Sequence, residues 1–195
     1  LKERPTAEVY KRLVDTEENK YIIRLTQLIC TFIGNFKTQG FKADRFEDFK
    51  SATKNVRTKL FLDICEVCYL EYQQALKERH FIDFEDMINE SAELIRKKQI
   101  DKEQLDYKYI IVDEYQDISR QRYNLIKELS SLCNAKIMAV GDDWQSIYAF
   151  SGSILPLFTK FCEEVGYGQE LKITRTYRNA QEIIDIAGTF VQKNN

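Results

Sequence analysis

"YIIVDEYQD", Tyr109 to Asp117, joins four apolar residues to two adjacent carboxylates, with a third carboxylate three residues on. A run that short and that apolar suits a strand buried on both faces of a parallel sheet, where polar alternation disappears. The acids then stand at its carboxyl end. In an open parallel sheet that end is where ligands bind, because the loops leaving it open a crevice outside the strand tips.

Working outward, the chain divides by texture near residue 80. From Ala7 to about Arg79 the text is helical: Tyr21, Ile22, Leu25, Leu28, Ile29 and Phe32 recur at three- and four-residue steps, and Thr58 to Leu76 repeats the pattern. Asp83 precedes another amphipathic run through Ile95 and reads as its N-cap, with Asp86 in the first turn. Beyond it, Tyr109–Val112, Lys136–Val140 and Leu171–Thr174 read as short strands. Helical stretches near Ser119–Leu132 and Ile154–Val165 separate them. Strands alternating with helices of that length imply crossover connections and a parallel sheet, hence an α/β class.

Composition sets bounds on function. The 195 residues are 44% hydrophobic and 12% aromatic, ample for a core, and the formal net charge of −2 gives no bulk attraction for nucleic acid. Any such binding must come from local patches. Lys50, Lys54 and Arg57 fall at steps of four and three, so one helix would present them on one face as phosphate contacts, with a solvated charged face as the alternative. No apolar run approaches bilayer-spanning length and the charged first twenty residues do not resemble a signal peptide, so a cytoplasmic location without membrane contact is expected. The five cysteines, Cys30, Cys65, Cys68, Cys133 and Cys162, are odd in number and sit in apolar text, which suits reduced thiols. Cys65-Glu-Val-Cys68 has neither a second pair nor a distant histidine pair, and reads as helix packing.

The remaining stretches concern the acids at Asp113 and Glu114. "AVGDDWQSIYAFSG" (Ala139 to Gly152) follows the second strand, and "TRTYRN" (Thr174 to Asn179) follows the third. In this order and at these spacings, "VDEYQD", "VGDDWQSIY" and "TYRN" resemble motifs of the UvrD/Rep group of superfamily 1 DNA helicases. "DISRQR" and the upstream "FIDFEDMI" resemble the helicase IV branch of that group.

The resemblance implies part of a RecA-like P-loop NTPase parallel sheet with a mainly helical N-terminal subdomain. It implies residues 1–79 as a helical insertion of the first motor domain, 80–174 as the later part of that RecA-like domain, and 175–195 as the start of the second. It implies ATP and Mg2+ as ligands and single-stranded DNA as partner, with 3′ to 5′ movement in repair or recombination. Asp113 would hold the magnesium ion through water, and Glu114 would polarise the hydrolytic water. Gln145 stands where the family senses the terminal phosphate, Arg178 where an arginine reaches that phosphate, and Tyr177 where an aromatic stacks on adenine. Phe150, with Tyr148 close by, falls where the family stacks a DNA base.

Simpler roles stand beside these. By composition alone Tyr148 and Phe150 are core residues under a loop. Asp117 is most simply an N-cap, and Asp142 and Asp143 are turn formers after Gly141. His80 suits a loop or a helix junction. Ala149 and Ser151 flank Phe150 where the family commonly has an arginine, so DNA grip at that spot is expected to be weaker or differently built. No G-x-x-x-x-G-K-[ST] occurs in these residues. The chain therefore reads as an internal piece of a helicase, inactive toward ATP by itself, with an uncovered sheet edge that favours self-association. The alternative is a non-enzymatic, helicase-like module that binds nucleic acid or protein, although such a module has no need of Asp113, Glu114, Gln145 and Arg178 together.

Overall fold

The structure is a computed structural model that describes residues 17–100, 103, 105–147 and 152–193. The chain forms two compact units, residues Leu1–Lys160 and Phe161–Asn195.

The described residues of the first unit begin with helices α1 (Glu17–Thr38), α2 (Arg45–Ala52), α3 (Val56–Glu78) and α4 (Phe84–Arg96). Phe36, Phe46, Leu62, Cys65 and Tyr69 form its buried core, with Phe32, Phe41, Phe49 and Phe61 packed around them. The rings of Phe36 and Phe46 stack at 4.5 Å between centroids, and Phe32 meets Phe61 edge-on at 5.6 Å.

Local chemistry sets where these helices stop. Gly40, at φ 72°, ends α1 with paired bonds, Gly40 N–H to the Lys37 carbonyl and Phe41 N–H to the Phe36 carbonyl. His80 does the same for α3 at φ 54° and so stands at a helix junction, as expected. Asn55 caps α3 by accepting from the N–H groups of Arg57 and Thr58. Asp83 caps α4 by accepting from Asp86 N–H at 2.8 Å, which bears out its sequence reading. Lys37, only 2% exposed, reaches across from α1 to Asp83 and to Asp86 at 2.7 Å, tying the start of α4 to the helical core.

Strand β1 (Tyr109–Val112) then pairs in parallel with β2 (Lys136–Ala139) through the crossover helix α5 (Arg120–Cys133), which packs on α4. Tyr109 stands opposite Lys136 and Val112 opposite Ala139. The described residues thus form a mostly helical α/β unit with a two-stranded parallel sheet.

Three expectations need correction. Burial of β1 on both faces is not found: Tyr109 and Ile111 are 66% and 69% exposed, alternating with half-buried Ile110 and Val112. Covering the second face takes another layer, which the described residues do not supply. Leu171–Thr174 forms no strand, because a strand exists only by pairing and these exposed residues have no strand partner among the described residues. Asp117 is not an N-cap. It closes the 3-10 turn Tyr115–Asp117, and the cap position of α5 belongs to Ser119.

After β2 come the 3-10 turn Asp143–Gln145 and helix α6 (Leu155–Thr159), whose Leu157 is fully buried against the Tyr115–Asp117 turn. The second unit holds α7 (Phe161–Val165) and α8 (Gln181–Gln192). No helix among the described residues is long and apolar enough to cross a membrane.

Candidate functional site at the strand tips

Val140 brings the two strand ends together. Its N–H donates to the Val112 carbonyl at 2.9 Å, and its carbonyl accepts from Tyr115 N–H at 2.9 Å. The loops carrying Asp113–Asp117 and Gly141–Gln145 therefore leave the sheet from the same edge, at its carboxyl end, as open parallel sheets present their ligand sites.

Asp113 and Glu114 are both exposed at this edge. Asp113 Oδ1 accepts from the N–H of Glu114 at 2.9 Å, which turns the chain sharply as the strand ends. Glu114 itself lies at φ 50°, ψ 43°, the left-handed region that costs an L-residue with a Cβ roughly 1–2 kcal/mol. Non-glycine residues held there concentrate at functional sites, where surrounding bonds fix them.

Those bonds come from Gln116, a buried residue in the adjoining turn. Its Nε2 donates to Glu114 Oε2 at 2.7 Å, and its Oε1 accepts from Asp142 N–H at 3.0 Å. Asp142 in turn accepts twice, from Trp144 N–H through Oδ1 at 3.1 Å and from Gln145 Nε2 through Oδ2 at 2.9 Å. Asp142 is thus the turn former that its place after Gly141 suggested. Glu114 and Gln145, thirty-one positions apart in the chain, are joined by an unbroken path of hydrogen bonds. The sequence reading assigned Gln116 no role. The only signal was an amide inside "DEYQD" with a glycine waiting after the neighbouring strand.

The donor set suits magnesium in one specific way. Magnesium keeps several waters and asks for one or two protein carboxylates, which the exposed pair Asp113 and Glu114 can provide. No group of three or more His, Cys, Asp or Glu arranged to hold a metal occurs among the described residues.

The other expected site residues are placed as follows. Tyr177 and Arg178 belong to the second unit, in an exposed irregular stretch before α8; the Arg175 guanidinium lies 5.1 Å over the Tyr177 ring. Tyr148 and Phe150 lie outside the described residues. Lys50, Lys54 and Arg57 do not share one helix face as expected, because α2 ends at Ala52 and α3 starts at Val56, with Lys54 between them. Lys50 instead sits among Glu47, Asp63 and Glu66 at 3.0, 2.9 and 2.6 Å, which raises its pKa further above the ordinary lysine value through those three hydrogen bonds, Glu66 foremost. An ammonium so neutralised offers little to a phosphate.

Residues 1–166 match the UvrD/REP helicase N-terminal domain family. The chain is 37% identical over 124 residues to DNA helicase IV of Escherichia coli (strain K12), covering 63% of this chain and 18% of that protein. It is 28% identical over 167 residues to DNA helicase II of Haemophilus influenzae, covering 85% of this chain and 22% of that one. It is 27% identical over 188 residues to ATP-dependent DNA helicase Rep of Buchnera aphidicola, covering 95% and 26%. The chain therefore spans about a fifth to a quarter of the length of these relatives. With the match extending from the first helices through both strand tips, the chain belongs to the UvrD/REP helicase N-terminal domain family.

Proposed function

We propose that the chain works as part of an ATP-dependent DNA helicase that moves 3′ to 5′ along single-stranded DNA in repair or recombination. The observation that carries this reading is the shared strand edge: Asp113, Glu114 and Gln145 converge where Val140 binds Val112. In this reading residues 1–79 are the helical insertion, 80–174 the later part of the first RecA-like domain, and 175–195 the start of the second. The exposed face of β1 and β2 then receives further parts of that RecA-like domain.

Asp113 holds magnesium through water. The ion, when bound, supplies charge neutralisation at the phosphates. Glu114 accepts a proton from, and so orients, the attacking water. Gln145 offers a neutral amide that can hydrogen-bond both a terminal phosphate and that water. Arg178 brings a guanidinium fork to charge developing on the phosphate, and Tyr177 stacks on adenine. Tyr148 and Phe150 stack on DNA bases, worth roughly 1–3 kcal/mol per base and tolerant of sequence.

The test is ATP hydrolysis by the full-length protein that carries this segment together with a phosphate-binding loop. Single-stranded DNA should stimulate turnover, and Glu114→Gln should lower kcat by about two orders of magnitude or more while nucleotide still binds. The 195-residue chain by itself should not hydrolyse ATP, since no G-x-x-x-x-G-K-[ST] occurs in its sequence to cradle the phosphates. Full-length turnover indifferent to Glu114→Gln would overturn the motor reading. Turnover by the chain alone, abolished by that substitution, would overturn the argument from the absent loop.

A further inference from the structure

Gln116 is 1% exposed, yet its amide is not spent on packing. A carboxylate only accepts hydrogen bonds and a backbone N–H only donates, so its two partners fix which end of the amide is which. Nε2 must face Glu114 Oε2, and Oε1 must face Asp142 N–H. One end of the amide meets a backbone group and the other a side-chain carboxylate. This one directs its donor at the carboxylate of the residue held in the left-handed region.

Gly141 supplies a second sign. Its φ is not in the left-handed region, so conformational freedom does not call for glycine there. Close approach does: a Cβ at position 141 would fall 2.4 Å from Gln116 Oε1, 3.1 Å from Phe158 Cε2 and 3.2 Å from the Gln116 backbone nitrogen. The loop after β2 thus leaves out a side chain at the position where the Gln116 amide passes. Beyond it, Asp142 Oδ2 carries the path to Gln145 Nε2.

We propose that Gln116 is a positioning residue for hydrolysis. Its amide holds the Glu114 carboxylate in one orientation and ties it, through Gly141 and Asp142, to Gln145. A shift of Gln145 as the phosphate leaves then moves the Asp142 loop and, with it, the hydrogen bond that orients Glu114. This rests on the reading of Glu114 as the hydrolytic carboxylate and Gln145 as the phosphate sensor.

The experiment measures DNA-stimulated kcat and KM for ATP in the full-length protein, per folded molecule, for Gln116→Leu, Gly141→Ala, Gln145→Ala, the double variant Gln116→Leu/Gln145→Ala, and Glu114→Gln as reference. Gln116→Leu and Gly141→Ala should each lower kcat about tenfold to a hundredfold, as small misplacements of a catalytic group do, with KM unchanged within about twofold. In the Gln145→Ala background the further loss from Gln116→Leu should shrink to about threefold or less, because the two act along one path. A scaffold role predicts instead full additivity, or a KM change equal to the kcat change, and either result overturns the proposal. If Glu114→Gln abolishes turnover while Gln116→Leu and Gly141→Ala keep wild-type kcat, the linkage fails and the motor reading stands. If Glu114→Gln has no effect, that reading fails and the linkage with it. Should Gln116→Leu not fold, Gln116→Asn replaces it, since the shorter amide cannot span both partners. Failure of all three of these variants to fold makes the contact a packing device and overturns the proposal.

Discussion

Glu114 shows how a single residue departs from what its text permits one to read. "DE" after an apolar run announces exposed carboxylates at a strand end, and that much is found. The left-handed backbone at Glu114 is invisible in composition, because it is imposed by partners distant in sequence: Val140, which grips Tyr115, and Asp142, which grips Gln116. Cysteine chemistry separates along the same line. Cys65 and Cys68 look alike in "CEVC", but Cys65 faces the aromatic core and is fully buried, and burial, followed by the neighbouring Cys68, pushes its thiol up to about 11. At pH 8 its thiolate fraction is on the order of one in a thousand, and an alkylating reagent has no path to it. Iodoacetamide on the native protein should therefore modify exposed Cys30 and leave Cys65 untouched until denaturant is added, as read by peptide mass spectrometry. Equal labelling of both in the native state would contradict the packed core around Phe36 and Phe46.

Among the elements, helices were more legible than strands. The periodic runs around Tyr21–Phe32 and Thr58–Leu76 lie within α1 and α3, and Asp83 announced the start of α4, because a capping side chain and a 3.6-residue apolar rhythm are local signals. The single helix face expected for Lys50, Lys54 and Arg57 is not found because spacing alone cannot show that a helix ends at Ala52. Leu171–Thr174 failed because β structure is decided by partners, not by the run itself. What the sequence could not show of α4 is how its first turn is clamped. Burial raises the Asp83 carboxyl, but the Lys37 ammonium, the Asp86 N–H and the Tyr72 hydroxyl outweigh it, leaving its pKa below the ordinary 3.8. Further along α4, hydrogen bonds from Lys42 and then Lys97 lower Glu93 from 4.5 to about 2. For both groups the folded pKa is depressed, so their stabilisation is complete above the ordinary carboxylate values and is lost as pH falls through the folded ones. The thermal midpoint should hold from pH 7 to 5 and decline between about pH 4.5 and 2. Asp83→Asn should cost about 1–3 kcal/mol at pH 7, by weakening the partner of a buried lysine, and should flatten part of the acid decline. A decline of the same size in wild type and variant would show that the acid sensitivity comes from elsewhere.

At the scale of the whole molecule, the family match and the packing end close together: the match stops at residue 166, and the second compact unit begins at Phe161. The resemblance drawn from the sequence implied a boundary at residue 175, and the stretch before "TYRN" read as a strand. In the structure, residues 166–180 have no helix or strand and are exposed throughout, from Gly166 at φ 82° to the cap position of α8. Three basic residues, Lys172, Arg175 and Arg178, lie in this stretch, each followed by a residue other than proline. Proteases need several residues of extended, accessible backbone, and irregular exposed chain supplies it where packed helices do not. Brief trypsin treatment of the native protein should cut first at Lys172, Arg175 or Arg178, while Lys37 and Lys50, held in ion pairs within the helical core, stay protected. Intact-mass analysis over a time course distinguishes the outcomes. First cuts between Arg45 and Arg96, with 172–178 spared, would mean that the segment carrying Tyr177 and Arg178 is covered and the helical core is the looser part. That pattern would reverse the order of stability drawn from burial.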